Sequence, residues 1–93
     1  MDNFKIFETE QFRSDLENDF SGQQERIKKK LETFVYPQLR KMPFFGKNIK
    51  KLVNYSPETW RYRIGSYRFF YNIDEKNKMV FMISADNRSS AYR

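Results

Sequence analysis

The chain has no cysteine and no histidine among its 93 residues, and only three glycines and three prolines. Without thiolates or imidazoles there is no Cys/His metal site, no cysteine nucleophile and no histidine acid or base. Any catalysis falls to Arg, Lys, Tyr, Asp or Glu. No disulfide framework can form, and the opening residues MDNFKIF lack the basic start and apolar run of a secretory signal, so the expected location is the cytoplasm. The longest purely apolar run is Met79 to Ile83, far short of the ~20 residues a membrane helix needs. Membrane partners are not expected. GxGxxG and P-loop patterns are missing, as is any cluster with metal-ligand spacing, so neither a cofactor nor a metal is expected. Repeats, low-complexity stretches and linkers are also missing, which leaves one domain over 1–93.

Aromatic residues and positive charge are abundant. Ten Phe, six Tyr and one Trp must supply much of the core, because a chain of this size buries only about two-thirds of its unfolded surface. The 18 Lys and Arg outnumber the 12 Asp and Glu, for a net charge of +6. Residues 1–33 carry 6 basic and 8 acidic side chains, whereas residues 34–93 carry 12 and 4. The positive field thus belongs to the C-terminal two-thirds, and its natural partners are nucleic acid first, an acidic protein second and an anionic membrane third.

Asn3 to Glu8 alternates, with Phe4 and Ile6 on one side, and reads as a strand that Thr9 caps into a helix over about 10–20. Phe12, Leu16 and Phe20 form the apolar stripe of that helix. Ser21 and Gln24 fit a capping box for a second helix, whose inner face is expected to be Ile27, Leu31, Phe34 and Val35. Pro37 predicts that this helix ends or kinks near Tyr36, with a short turn through Arg40. The run Lys28, Lys29 and Lys30 lies among Glu25 and Glu32, and the four-spaced pairs Glu25–Lys29 and Lys28–Glu32 read as ordinary helix-surface contacts. Asp15 and Asp19 share a helix face and read as solvated. After the loop 42–48 come a short strand at Ile49 to Val53 and three strand-like runs, Trp60–Ile64, Tyr67–Ile73 and Met79–Ser84. The order βααβββ, with the short strand at 49–53 as an extra, predicts an α+β fold. Its helix hairpin would pack on one face of a twisted, mainly antiparallel sheet.

The informative element is the hairpin WRYRIGSYRFFY. Gly65-Ser66 fits a two-residue type II′ turn, since glycine takes positive φ at the first central position without a steric penalty. The turn sets Arg63 opposite Arg68 and Arg61 opposite Phe70. Alternation then gives Trp60, Tyr62, Ile64, Tyr67, Phe69, Tyr71 and Ile73 to one face, and Arg61, Arg63, Arg68 and Phe70 to the other. Like charges directly opposed cost a few tenths to about 1 kcal/mol, which a bound polyanion would offset, because guanidinium forks match phosphate oxygens. The bland alternative is a solvated face whose arginines splay apart or pair with Asp86 or Glu58. Lys47, Lys50 and Lys51 widen the basic surface, and Arg88, Tyr92 and Arg93 bring two further cations and a ring suited to stacking on a base. Spacing alone favours Tyr92 packing on the sheet edge.

The segment WRYRIGSYRFFY resembles the R-x-R-x-G-x-Y-R-x-x-Y hairpin of the RelE/ParE superfamily, toxins of type II toxin–antitoxin systems. The closing NRSSAY is similar to that family's H-R-x-x-x-Y, with Asn87 in place of His. The resemblance covers nearly the whole chain. In the RelE-like branch it implies a ribosome-dependent mRNA endonuclease that drives a ribose 2′-OH onto the adjacent phosphate. Arg61 and Arg63 would then flank the nucleophile, Arg68 would stabilise the phosphate, Arg88 would supply a C-terminal cation and Tyr92 would stack on a base. A guanidinium is a poor general base, so the mechanism implied is positioned cleavage with arginine stabilising the transition state. The partners implied are a cognate antitoxin, the ribosome and mRNA. The alternatives are a ParE-like inhibitor that acts by binding DNA gyrase, and a non-catalytic basic RNA-binding module.

Overall fold

The computed structural model describes residues 3–20 and 22–87. Ser21 and the tail 88–93, with Arg88, Tyr92 and Arg93, lie outside the described residues. Strand β1 (Lys5–Glu8) leads into helix α1 (Glu10–Asp19), followed by α2 (Gln24–Lys30), a π-helical turn over Leu31–Val35, and α3 (Tyr36–Lys41). Strands β2 (Ile49–Lys51), β3 (Trp60–Ile64), β4 (Tyr67–Asp74) and β5 (Met79–Asn87) complete a five-stranded sheet in the order β1-β5-β4-β3-β2. The α+β class and the one-sided helix layer are as the sequence predicts. The sheet is antiparallel except for β1, which pairs with β5 in parallel.

Thr9 caps α1 as expected: its hydroxyl accepts from the Phe12 amide at 3.2 Å and donates to the Met82 carbonyl at 2.8 Å. The cap therefore also ties the helix to β5. Ser21 of the expected capping box lies outside the described residues; the cap residue of α2 is Gln23, and Gln24 is already the first helical residue. Gln24 instead donates to the Glu17 carbonyl, across the joint between α1 and α2.

Pro37 does not end the helix. The π-helical turn lies immediately before it, and the Tyr36 amide reaches back five residues to the Leu31 carbonyl. Pro37, which has no amide to donate, falls in the first turn of the helix that follows, where none is required, so helix resumes to Lys41. The π-helical turn rotates the register. Ile27, Leu31, Val35, Tyr36 and Leu39 are buried, whereas Phe34, expected in the core, is 55% exposed. Neither Glu25–Lys29 nor Lys28–Glu32 closes to an ion pair, and the second spans the start of the widened turn. Among the described residues the ion pairs are Arg13–Glu8, Lys51–Glu58 and Arg68–Asp86.

The core lies between the helices and one sheet face. Phe12 of α1 and Phe20, which caps its C-terminus, pack on Phe69 of β4, with ring centroids 6.1 and 6.3 Å apart. Tyr62, Phe69, Tyr71, Val80 and Met82 are buried beneath the helices. Asp15 is an anchor and not a solvated group, since its carboxylate accepts from the Ala85 amide at 2.9 Å and from Gln11. That contact comes just after a β-bulge, where Ile83 interrupts the β4–β5 register between Phe70–Ser84 and Tyr71–Met82.

Candidate nucleic-acid interface

The geometry of the basic face follows from one turn. Gly65 sits at φ 61°, a conformation that only glycine adopts readily, and the two-residue loop sets the β3–β4 register. Ile64 faces Tyr67, Arg63 faces Arg68, Tyr62 faces Phe69, Arg61 faces Phe70 and Trp60 faces Tyr71. This is the register read from the sequence. Trp60, Tyr62, Phe69 and Tyr71 point to the helices and are buried, while Arg61, Arg63, Arg68 and Phe70 stand on the opposite face.

Neighbouring strands extend that face. Lys50 of β2 is registered beside Arg61, and the Arg63 amide donates to the Asn48 carbonyl at 3.0 Å, which prolongs the β2–β3 contact. On the other side Asp86 of β5 is registered beside Arg68, and the two form an ion pair in which both side chains remain about a third exposed or less. Asp86 relieves the Arg63–Arg68 opposition from one flank. Arg61 and Arg63 have no carboxylate partner among the described residues. The Nε atoms of Arg61 and Arg68 are both buried without a hydrogen-bond acceptor among the described residues, an arrangement that is costly unless a bound group supplies the acceptor. Lys47, Asn48, Arg61, Arg63 and Gly65 line a shallow cleft of about 290 Å³ at the turn end of the face.

Of the lysines expected to widen the surface, Lys47 and Lys50 join it and Lys51 does not. Lys51 registers with Trp60, on the helix side of the sheet. Its ammonium lies 5.7 Å from the centre of the Trp60 ring and 3.1 Å from the Glu58 carboxylate. Glu58 therefore serves Lys51, not the arginines. Arg88, Tyr92 and Arg93 remain outside the described residues. Asn87, in place of the His of the motif that the sequence resembles, is buried opposite Tyr67, and its side chain accepts from Ser66. Its register places it on the helix-side face.

A second cleft, of about 450 Å³, lies between β1 and the helices beside Ile6, Glu8, Arg13, Tyr36 and Arg40. There the Tyr36 hydroxyl donates to Glu8 at 2.5 Å and Arg13 lies 3.6 Å from the same carboxylate. Burial, reinforced by the hydrogen bond to Glu8, raises the Tyr36 phenol far above its ordinary range. It is a fixed neutral donor and not a proton shuttle. Among the described residues no group of three or more carboxylates gathers to hold a metal ion, and no helix is long and apolar enough to cross a membrane.

Residues 7–92 match the family model of the ParE toxin of type II toxin–antitoxin systems. The chain belongs to the RelE/ParE superfamily of type II toxins. Among solved structures, the toxin–antitoxin complex RelBE2 of Mycobacterium tuberculosis is similar at 25% identity and a TM-score of 0.72, over 92% of this chain and 99% of that one. The isolated E. coli RelE toxin is similar at 24% identity and a TM-score of 0.63, covering 96% and 90%. The RelE–RelB complex of the archaeon Pyrococcus horikoshii gives 18% and 0.61, covering 92% and 96%. The last two establish the shared fold alone. No curated protein sequence matches the toxin.

The sequence reading missed one feature of this face. Beyond the arginines, the uncovered face continues into Phe81 of β5 and Phe7 of β1, whose rings meet edge to face at 5.8 Å. The signal was present in NFKIFE, where placing Phe4 and Ile6 inward sends Lys5 and Phe7 outward. The partner of β1 was what could not be read.

Proposed function

We propose that this toxin is a ribosome-dependent mRNA endonuclease. The observation that carries the reading is the cluster of Lys50, Arg61, Arg63 and Arg68 on one rigid sheet face that no described helix covers. Guanidinium groups keep their charge at any physiological pH and present forked donors to phosphate oxygens. Fixed on adjacent strands, they suit the extra negative charge of a pentacoordinate phosphate as a 2′-OH attacks it. Arg61 and Arg63 would flank the attacking hydroxyl and Arg68 would bind the phosphate oxygens. Arg88 and Tyr92 would close the site with a cation and a stacking ring. None of these groups is an effective base near neutral pH, so the rate depends on in-line placement of the RNA, which a ribosome can impose, and on arginine electrostatics. An acidic antitoxin is the partner that the +6 charge favours.

The test is to add the purified toxin to a cell-free translation reaction and map mRNA 5′ ends by primer extension, beside a control without ribosomes. New ends on translating ribosomes alone are the expected result. Intact mRNA would overturn the reading. The second reading, inhibition of DNA gyrase by binding, is favoured by the match to the ParE family model. It predicts intact mRNA together with loss of supercoiling activity.

A further inference from the structure

The uncovered sheet face is ordered in rows across the strands. Lys5, Met79 and Asp74 form the first row, and Phe7, Phe81 and Asn72 the second. Past the bulge at Ile83 come Ser84, Phe70, Arg61 and Lys50, then Asp86, Arg68 and Arg63. Rows stand about 7 Å apart, two residues of strand rise. Phe70 therefore stands beside Arg61, while Phe81 and Phe7 carry the face one row further and outward across β5 and β1, with Lys5 beyond them. Phe7 is 50% exposed.

We propose that Phe70, Phe81 and Phe7 form a stacking platform for the bases of single-stranded RNA whose phosphates rest on the neighbouring arginines. The inference rests on the reading of RNA as the substrate and names residues that would hold the strand beside the cleaved linkage. Charge decides the occupant. The carboxylates on this face are Asp86 and Asp74, and both are engaged, Asp86 by Arg68 and Asp74 by the amide and side chain of Asn77. Lys5, Lys50, Arg61 and Arg63 remain to meet an anionic strand. A sheet that offers one exposed ring, Phe7, and two partly exposed ones, Phe70 and Phe81, together with cations suits unpaired bases, which stack on a π-face regardless of sequence. An apolar protein helix needs only greasy area, and a leucine supplies that as well as a phenylalanine.

That difference defines the experiment. Binding of a 5′-fluorescein single-stranded RNA 12-mer is read by anisotropy for the wild-type toxin, F7L, F81L and the double variant, with the same sequence as a duplex in parallel. Each leucine is expected to weaken single-strand binding at least about fivefold, the lower bound of one base–aromatic stack, and to leave duplex binding unchanged. Thermal melts confirm folding, and half-exposed Phe7 keeps the test intact should F81L lose its transition. Equal affinity in the leucine variants overturns the platform, and so does failure of the wild type to bind single strands at low salt. Leucine variants that keep RNA affinity, beside an F7D variant that no longer binds the cognate antitoxin, would assign the rings to the protein partner instead. Because binding is read without cleavage, intact mRNA on the ribosome would overturn the enzyme reading and leave this result standing.

Discussion

Along β3 and β4 successive residues meet opposite surroundings. Tyr62, Phe69 and Tyr71 are sealed under the helices, while Arg61, Arg63 and Phe70 look the other way from the same strands. On the covered face the tyrosine hydroxyls are matched: that of Tyr71 donates to the Pro43 carbonyl at 2.8 Å, that of Tyr62 to Gln38 at 2.8 Å and that of Tyr67 to Gln23 at 2.5 Å. On the open face two guanidine Nε atoms lack acceptors and like charges stand opposed. The covered face is built to satisfy itself, and the open face is built at the expense of stability. Such a sacrifice is expected of a surface selected for what it binds.

The largest effect that tests this comparison is expected at Phe69. Its ring is fully buried between Phe12 and Phe20. Truncation to alanine removes a large apolar group and leaves a cavity, a loss of about 3–5 kcal/mol. At ~4–8 °C per kcal/mol for a domain of this size, Phe69→Ala should lower the melting temperature by more than ~10 °C. A shift of only a few degrees would mean that the helix layer does not seal this face.

The reciprocal experiment is Arg63→Ala combined with Arg68→Ala. Ribosomal cleavage should fall by at least ~10²-fold, the scale for removing one preorganised donor from a transition state. Stability should change by about 1 kcal/mol or less, because the pair that is lost, Arg68–Asp86, is partly exposed and screened by solvent. Loss of the cooperative thermal transition in the double variant would place these arginines in the structural framework and contradict the two-face division.

Much of this division was legible before any coordinates. Gly65-Ser66 fixes the hairpin register, and alternation sorts arginine from aromatic residues without ambiguity. The helix stripe Phe12, Leu16, Phe20 was equally plain, being strictly four-spaced and terminated at Gly22. Three features resisted. The π-helical turn before Pro37 exposes Phe34, because a backbone that widens to admit a proline leaves the 3.6-residue pattern on which the core assignment depended. The bulge at Ile83 has no composition signal and decides which residues of β5 face the arginines. The parallel pairing of β1 with β5 joins residues more than 70 positions apart, beyond the reach of turn chemistry. It is this pairing that brings Phe7 and Phe81 together, so the aromatic half of the open face was hidden while the basic half was in view.

The smallest effect sharpens the contrast by titration. Burial is the main cause that holds the Tyr71 and Tyr36 phenols of the covered side well above the ordinary value of 10.0. Folding thus favours the protonated phenols. Their contribution is fully present below pH 10, where both folded and unfolded chains hold the proton, and is lost as pH rises beyond it and only the unfolded chain ionises. Each phenol should then lower stability by about 1 kcal/mol per pH unit above 10. Tyr71→Phe leaves the Pro43 carbonyl without its donor and should cost about 1 kcal/mol at neutral pH. It also removes one of the two phenols, so the gap between variant and wild type should narrow between pH 10 and 11. Urea midpoints at pH 7, 10 and 11 read this directly, and a gap that stays constant would show that the Tyr71 proton does not differ between folded and unfolded chains.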